Sequence, residues 1–266
     1  MKIDIKLPAN FVVDRNAKGK GRYVLDGKSL TGVTTILGVK AKPQLIPWAA
    51  KLAYEDSIGK SKEQIEKIIK DKAWAHSKKS KDATDVGTKA HDWLDTFVLS
   101  EINDSYPIQP PSSDIKHIVD RVTTWAKNNN VKFISGDTTV FSKKYWYAGS
   151  FDFVCEINGK YYLGDFKTSS GVYDREYYWQ CAAYMNAVYE MTGIKLDGCV
   201  IVRTDKLTDE QIAEENRKAE AKYHTNKYNK NSFDYLYSLE YDKDLRAFLA
   251  CKVIYEDGGF EDYLNN

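Results

Sequence analysis

The chain has 266 residues, 42% hydrophobic and 29% charged, which places it among soluble globular proteins of one large domain. No apolar run approaches the roughly 18 residues of a membrane helix. The opening MKIDIKLPAN has neither a signal-peptide core nor an Arg- and Ser-rich transit pattern, so cytoplasmic residence is expected.

The net charge of +1 is unevenly divided. Residues 1–91 carry 19 Lys+Arg against 10 Asp+Glu, and the remainder carries 20 against 28. A basic N-terminal third that suits a polyanion therefore precedes an acidic remainder, although Lys-rich solvated helices give the same excess. Residues 11–28 read as a short hairpin with a basic tip. V-T-T-I-L follows at 33–37, and 43–58, with Trp48, reads as a helix. Residues 60–81 are strongly charged and helical over 63–74. The apolar spacing of Val86, Ala90, Leu94 and Phe97 predicts a helix over 84–99. A Pro-bearing loop (103–113) and a helix over 114–128 come next. Strands are predicted at 131–141, 146–157, 160–167 and 197–203. A helix over 173–191 stops at Gly193. Residues 206–231 are polar around a helix at 209–223, and an amphipathic helix over 241–255 closes the chain. This order predicts an α/β fold with a mixed central sheet flanked by helices and a helical N-terminal region. No linker divides it. One domain over 1–266 is expected: a basic region (1–83), a core (84–205), a polar insertion or flap (206–235) and a closing segment (236–266).

The four cysteines, Cys155, Cys181, Cys199 and Cys251, are scattered without a C-x-x-C pair. They read as buried thiols, not as a zinc or iron–sulfur site or a disulfide framework.

The most specific stretch is 147–167, YAGSFDFVCEINGKYYLGDFK. Asn158-Gly159 between β-forming residues signals a two-residue hairpin turn. That turn puts Asp152 directly opposite Asp165, and Lys167 points the same way as Asp165. Two carboxylates this close repel unless a cation lies between them. A divalent metal beside a lysine suits hydrolysis of a phosphodiester. The helix at 84–99 carries Gly87, His91 and Asp95 on one face. His91 could ligate a metal through one ring nitrogen while a carboxylate, with Asp95 the candidate, holds the other. Gly87 would admit a close backbone or phosphate.

G-x-x-x-H, G-S-x-D, D-x-K-T-S and Gln180-x-x-x-Tyr184, in that order, resemble the motifs of RecB-type nucleases of the PD-(D/E)XK superfamily. Within it the chain is similar to the group of the mitochondrial genome maintenance exonuclease and its phage and bacterial relatives, over about residues 25–200. V-T-T-I-L and Trp48 belong to the same likeness. The resemblance implies a restriction-endonuclease-like core. It also implies that His91, Asp152, Asp165 and the carbonyl of Phe166 hold the metal. Lys167 would position or activate the attacking water. Gln180 and Tyr184 would orient the site or contact DNA. Many members have a glutamate where this chain has Asp137, which makes Asp137 a doubtful ligand. No iron–sulfur cluster is expected. His91 in the ligand set shifts the metal from Mg²⁺ toward Mn²⁺. Thr34, Thr35 and Lys51 are phosphate contacts by resemblance and charge, and Trp48, Trp93 and Tyr178 are candidates for stacking on bases.

The expectation is a metal-dependent DNA exonuclease acting on single-stranded ends or flaps in bacterial or phage DNA replication, recombination or repair. Two alternatives stay open. One is a structure-specific or restriction-like endonuclease on the same core. The other is a DNA-binding or assembly protein that keeps the fold without the chemistry.

Overall fold

The computed structural model describes residues 3, 5–14, 22–40, 50, 53–73, 80–172, 174–226 and 229–258. These fall into two compact units, 40–89 and the combination of 1–39 with 90–266. The smaller unit holds a helical turn at 53–57, helix α2 (Lys62–Ala73) and the first turns of α3 (Ser80–Ile102). Ser61 starts α2 with a reciprocal cap. Its hydroxyl accepts the Gln64 N–H at 3.4 Å, and its own N–H donates to Gln64 Oε1 at 3.0 Å.

The larger unit is built on an eight-stranded mixed sheet. Its strands are β1 (Phe11–Val13), β2 (Tyr23–Leu25), β3 (Lys28–Gly32), β4 (Lys132–Ser142), β5 (Tyr147–Ile157), β6 (Lys160–Thr168), β7 (Gly198–Thr204) and β8 (Phe233–Ser238). The path runs β1-β2-β3-β5-β6-β7-β8, and β4 lies along the other edge of β5. β3 is parallel to β5 and β6 is parallel to β7; the other pairs are antiparallel. Helices α1 (Val33–Leu37), α5 (Glu176–Thr192) and α7 (Tyr241–Glu256) pack against one apolar cluster of the sheet, and α3 and α4 (Lys116–Asn128) against another. A mixed sheet flanked by helices is therefore present.

The β5–β6 turn has the expected chemistry. Asn158 and Gly159 take φ of 53° and 76°, which a primed two-residue turn requires. The ladder then runs from Ile157↔Lys160 to Phe153↔Gly164. Gly164 is there for space: the Phe153 ring lies across it, and a Cβ at Gly164 would sit 1.9 Å from a ring carbon. Gly164→Ala is expected to cost about 3 kcal/mol by overpacking, read as a lower urea midpoint. An unchanged midpoint would show that the ring moves aside freely.

Two strands were not expected from sequence. β8 begins inside the segment read as a polar insertion and pairs antiparallel with β7 from Cys199 to Thr204, so 233–235 belong to the sheet. β3 joins β5 through Thr31↔Tyr147 and Gly32↔Ala148. The rest of the 206–231 segment is tied down at its start. Arg121 donates to the carbonyls of Asp205 and Leu207 at 2.8 and 2.9 Å, and to Asp209 Oδ1 at 2.9 Å. Thr208 and Gln211 form a capping box on α6 (Asp209–Tyr223). All four cysteines are buried and none forms a disulfide. No helix among the described residues is long and apolar enough to cross a membrane.

Candidate active site

The site starts from a break in pairing. β4 covers one edge of β5 along nearly its whole length. On the opposite edge, β3 takes 147–148 and β6 takes 153–157, so 149–152 have no strand partner there. That stretch is the motif Gly149-Ser150-Phe151-Asp152. Gly149 is required by α5: a Cβ there would lie 2.6 Å from the Tyr184 ring.

Asp152 is one step beyond Phe153↔Gly164, which puts it opposite Asp165 as the turn predicts. On its other side, Gly136↔Phe153 and Thr138↔Phe151 bracket Asp137 and Asp152. Asp137, Asp152 and Asp165 thus form a row across β4, β5 and β6. Asp165 is buried and Asp137 exposed. Lys167 Nζ lies 2.5 Å from Asp165 Oδ2, and 5.1 Å from the Tyr177 ring centre. Asp152 Oδ2 accepts the Phe166 N–H at 2.6 Å. A strand residue directs its N–H and C=O to the same side, so the Phe166 carbonyl faces Asp152 as well. His91 reaches the cluster from α3, with Nδ1 4.0 Å from Asp152 Oδ2.

These groups perturb one another. Burial and Asp165 push the Asp152 carboxyl up to about 7, against the opposing pull of Lys167 and the Phe166 N–H. Burial, Asp152 and Asp137 likewise raise Asp95 to about 7. Burial and the Lys167 charge hold His91 below its ordinary value, so its imidazole is neutral at pH 7. Burial opposes the charge on Lys167, but Asp165 and Asp152 outweigh it and keep the ammonium protonated.

The donor types suit a hard divalent cation: carboxylate oxygens and one neutral imidazole. Asp165 Oδ2 is buried and makes no hydrogen bond, only the ion contact with Lys167. As they stand, however, Lys167 closes Asp165 and the Phe166 N–H closes Asp152. Among the described residues no three His, Cys, Asp or Glu side chains converge tightly enough to hold an ion. Asp95 Oδ1 is buried without a hydrogen bond, and His91 Nδ1 faces Asp152.

The other expected residues separate into groups. Thr34, Thr35, Gln180 and Tyr184 line one pocket of about 300 Å³, together with Arg22 and Ser150, to which the sequence reading gave no role. Ser150 carried a signal, lying two residues before Asp152 on the same strand. Arg22 carried none beyond its charge. Gln180 Nε2 donates to Tyr184 Oη at 3.2 Å. Burial and the nearby Asp165 hold the Tyr184 hydroxyl well above the ordinary phenol value, although Gln180 opposes this. Trp93 and Tyr178 are engaged by the fold. Trp93 stacks on Phe97 at 5.8 Å and donates to the Gln109 carbonyl at 2.8 Å, and Tyr178 packs at the core edge under Arg175. Gly87 is buried within α3. Trp48 and Lys51 lie outside the described residues.

Comparison with protein-family models finds no match, and comparison with curated proteins finds none either.

Proposed function

We propose that the chain is a divalent-metal-dependent deoxyribonuclease with a PD-(D/E)XK core, acting on single-stranded ends or flaps. The observation that carries the reading is Asp152 and Asp165 lying one step past the last β5–β6 ladder pair, Phe153↔Gly164, with Lys167 2.5 Å from Asp165. An ordinary surface hairpin does not bury an aspartate beside a lysine and hold a second aspartate near neutrality. Asp152, Asp165, the Phe166 carbonyl and neutral His91 would hold Mg²⁺ or Mn²⁺. The ion supplies Lewis-acid polarisation of the phosphate and a more acidic bound water. Lys167, kept cationic, can withdraw from Asp165 to meet charge developing on the phosphate. As a ligand to the ion, Asp152 would be ionised, and Lys167 would position or activate the attacking water. The Gln180–Tyr184 pair lies beside them, fit to orient a DNA strand.

The test is cleavage of end-labelled linear single-stranded, duplex and flap DNA beside circular single strands, in Mg²⁺, Mn²⁺ or EDTA. Loss of linear strands with circles intact, in metal only, is the expected result. Cut circles would replace the exonuclease with an endonuclease. Binding without cleavage in either metal would leave a DNA-binding protein on this scaffold.

A further inference from the structure

We propose that the pocket lined by Arg22, Thr34, Thr35, Ser150, Gln180 and Tyr184 is a seat for a terminal phosphate monoester of a DNA strand, an inference that rests on the nuclease reading and adds end recognition to it. The pocket presents hydrogen-bond donors with little else to bind. Arg22 makes no ion pair among the described residues, and its guanidinium lies 5.3 Å from the Tyr23 ring centre. Thr34 and Thr35 are exposed, and their hydroxyls donate to no described residue. Ser150 Oγ and Thr139 Oγ1 share one hydrogen bond at 2.9 Å, which leaves one of their two protons over. Tyr184 Oη accepts from Gln180 and keeps its own proton for another acceptor. A planar guanidinium with several hydroxyls around a small cavity is the chemistry that binds a doubly charged group with three open oxygens.

Charge argues for a strand end over a passing backbone: a terminal monoester brings three open oxygens and up to two charges to these donors, where a diester brings two oxygens and one charge. Tyr184, only 2% exposed, lines the pocket against Gly149. Position argues for a link to the Asp152 cluster. Ser150 precedes Asp152 by two strand residues, about 7 Å, comparable with the spacing of neighbouring phosphates on an extended strand. A terminal phosphate seated at Ser150 would set the next phosphodiester beside Asp152 and Lys167.

The experiment uses one labelled single-stranded oligonucleotide in three forms: 5′-phosphorylated, 3′-phosphorylated and unphosphorylated. Binding to the full chain is measured by anisotropy in Ca²⁺, for wild type, Arg22→Gln and Arg22→Lys. One phosphorylated form should bind roughly tenfold or more tightly than the unphosphorylated strand. Which end it is gives the polarity. Arg22→Gln should shrink the preference to about twofold, and Arg22→Lys should keep part of it. Equal affinity for all three strands, or a preference untouched by Arg22→Gln, would overturn the proposal. Cleavage of the same strands in Mg²⁺ is scored separately. Phosphate preference without cleavage would sink the nuclease reading and leave the pocket; cleavage without preference would do the reverse.

Discussion

Asp152→Asn is expected to lower metal-dependent cleavage by roughly 10³-fold, about 4 kcal/mol of barrier, while making the protein more stable. The two effects have one origin. Burial beside Asp165 raises the Asp152 carboxyl to about 7 from an ordinary 3.8, so the fold prefers it protonated. The sign follows from linkage. Below about pH 4 the group is protonated folded or unfolded, and charge costs nothing. Between about pH 4 and pH 7 the unfolded chain ionises first and stability falls; above about pH 7 the loss is complete and flat. The ceiling is about 4 kcal/mol. The side chain is 22% exposed, so about 2 kcal/mol is expected. Asparagine keeps an acceptor for the Phe166 N–H and removes the charge. Its Tm should exceed wild type by on the order of 5 °C at pH 8 and match it at pH 4. Mn²⁺ should raise the wild-type Tm at pH 8 by binding only the folded state, and should do so much less in the variant. A variant less stable than wild type at pH 8 would show that Asp152 is held as a favourable anion.

Lys167→Ala is expected to abolish cleavage as well, by roughly 10²- to 10⁴-fold, but with the opposite effect on stability. Asp165 is 3% exposed, and Lys167 is its ion partner at 2.5 Å. Removing the lysine strands a buried carboxylate, a loss of about 3 kcal/mol or more. Asp165→Asn in the same chain should recover most of that loss, which a double-mutant cycle in urea measures directly. Additivity of the two changes would mean that the pair is not energetically coupled. Mn²⁺ should stabilise Lys167→Ala at least as much as wild type, because the cation replaces the missing charge.

What was legible in the sequence was local. Asn158-Gly159 announces its own turn, and that turn determines that Asp152 meets Asp165. Helix α6 covers the 209–223 read from sequence, and α5 ends where Gly193 adopts φ of 73°. What was not legible depends on pairing between distant residues. The β3–β5 contact joins residues 116 apart, Thr31 to Tyr147, and leaves no local trace. Yet it makes the break in which Gly149–Asp152 sits and brings Arg22, Thr34 and Thr35 to Tyr184. The row Asp137–Asp152 rests on the register of β4, which shifts between Phe133 and Ser135, so sequence spacing alone does not determine it. β8 escaped notice because its six residues follow a polar stretch and pair with β7 from the far side of α6.

The measurement that bears most directly on the central claim is single-turnover cleavage of a linear single-stranded oligonucleotide at pH 8, comparing wild type, Asp152→Asn and Lys167→Ala in Mn²⁺ and in EDTA. Cleavage by wild type in Mn²⁺ alone, with both variants slowed by at least about 10²-fold, is the result this account predicts. Cleavage that persists in EDTA, or in either variant at the wild-type rate, would contradict it.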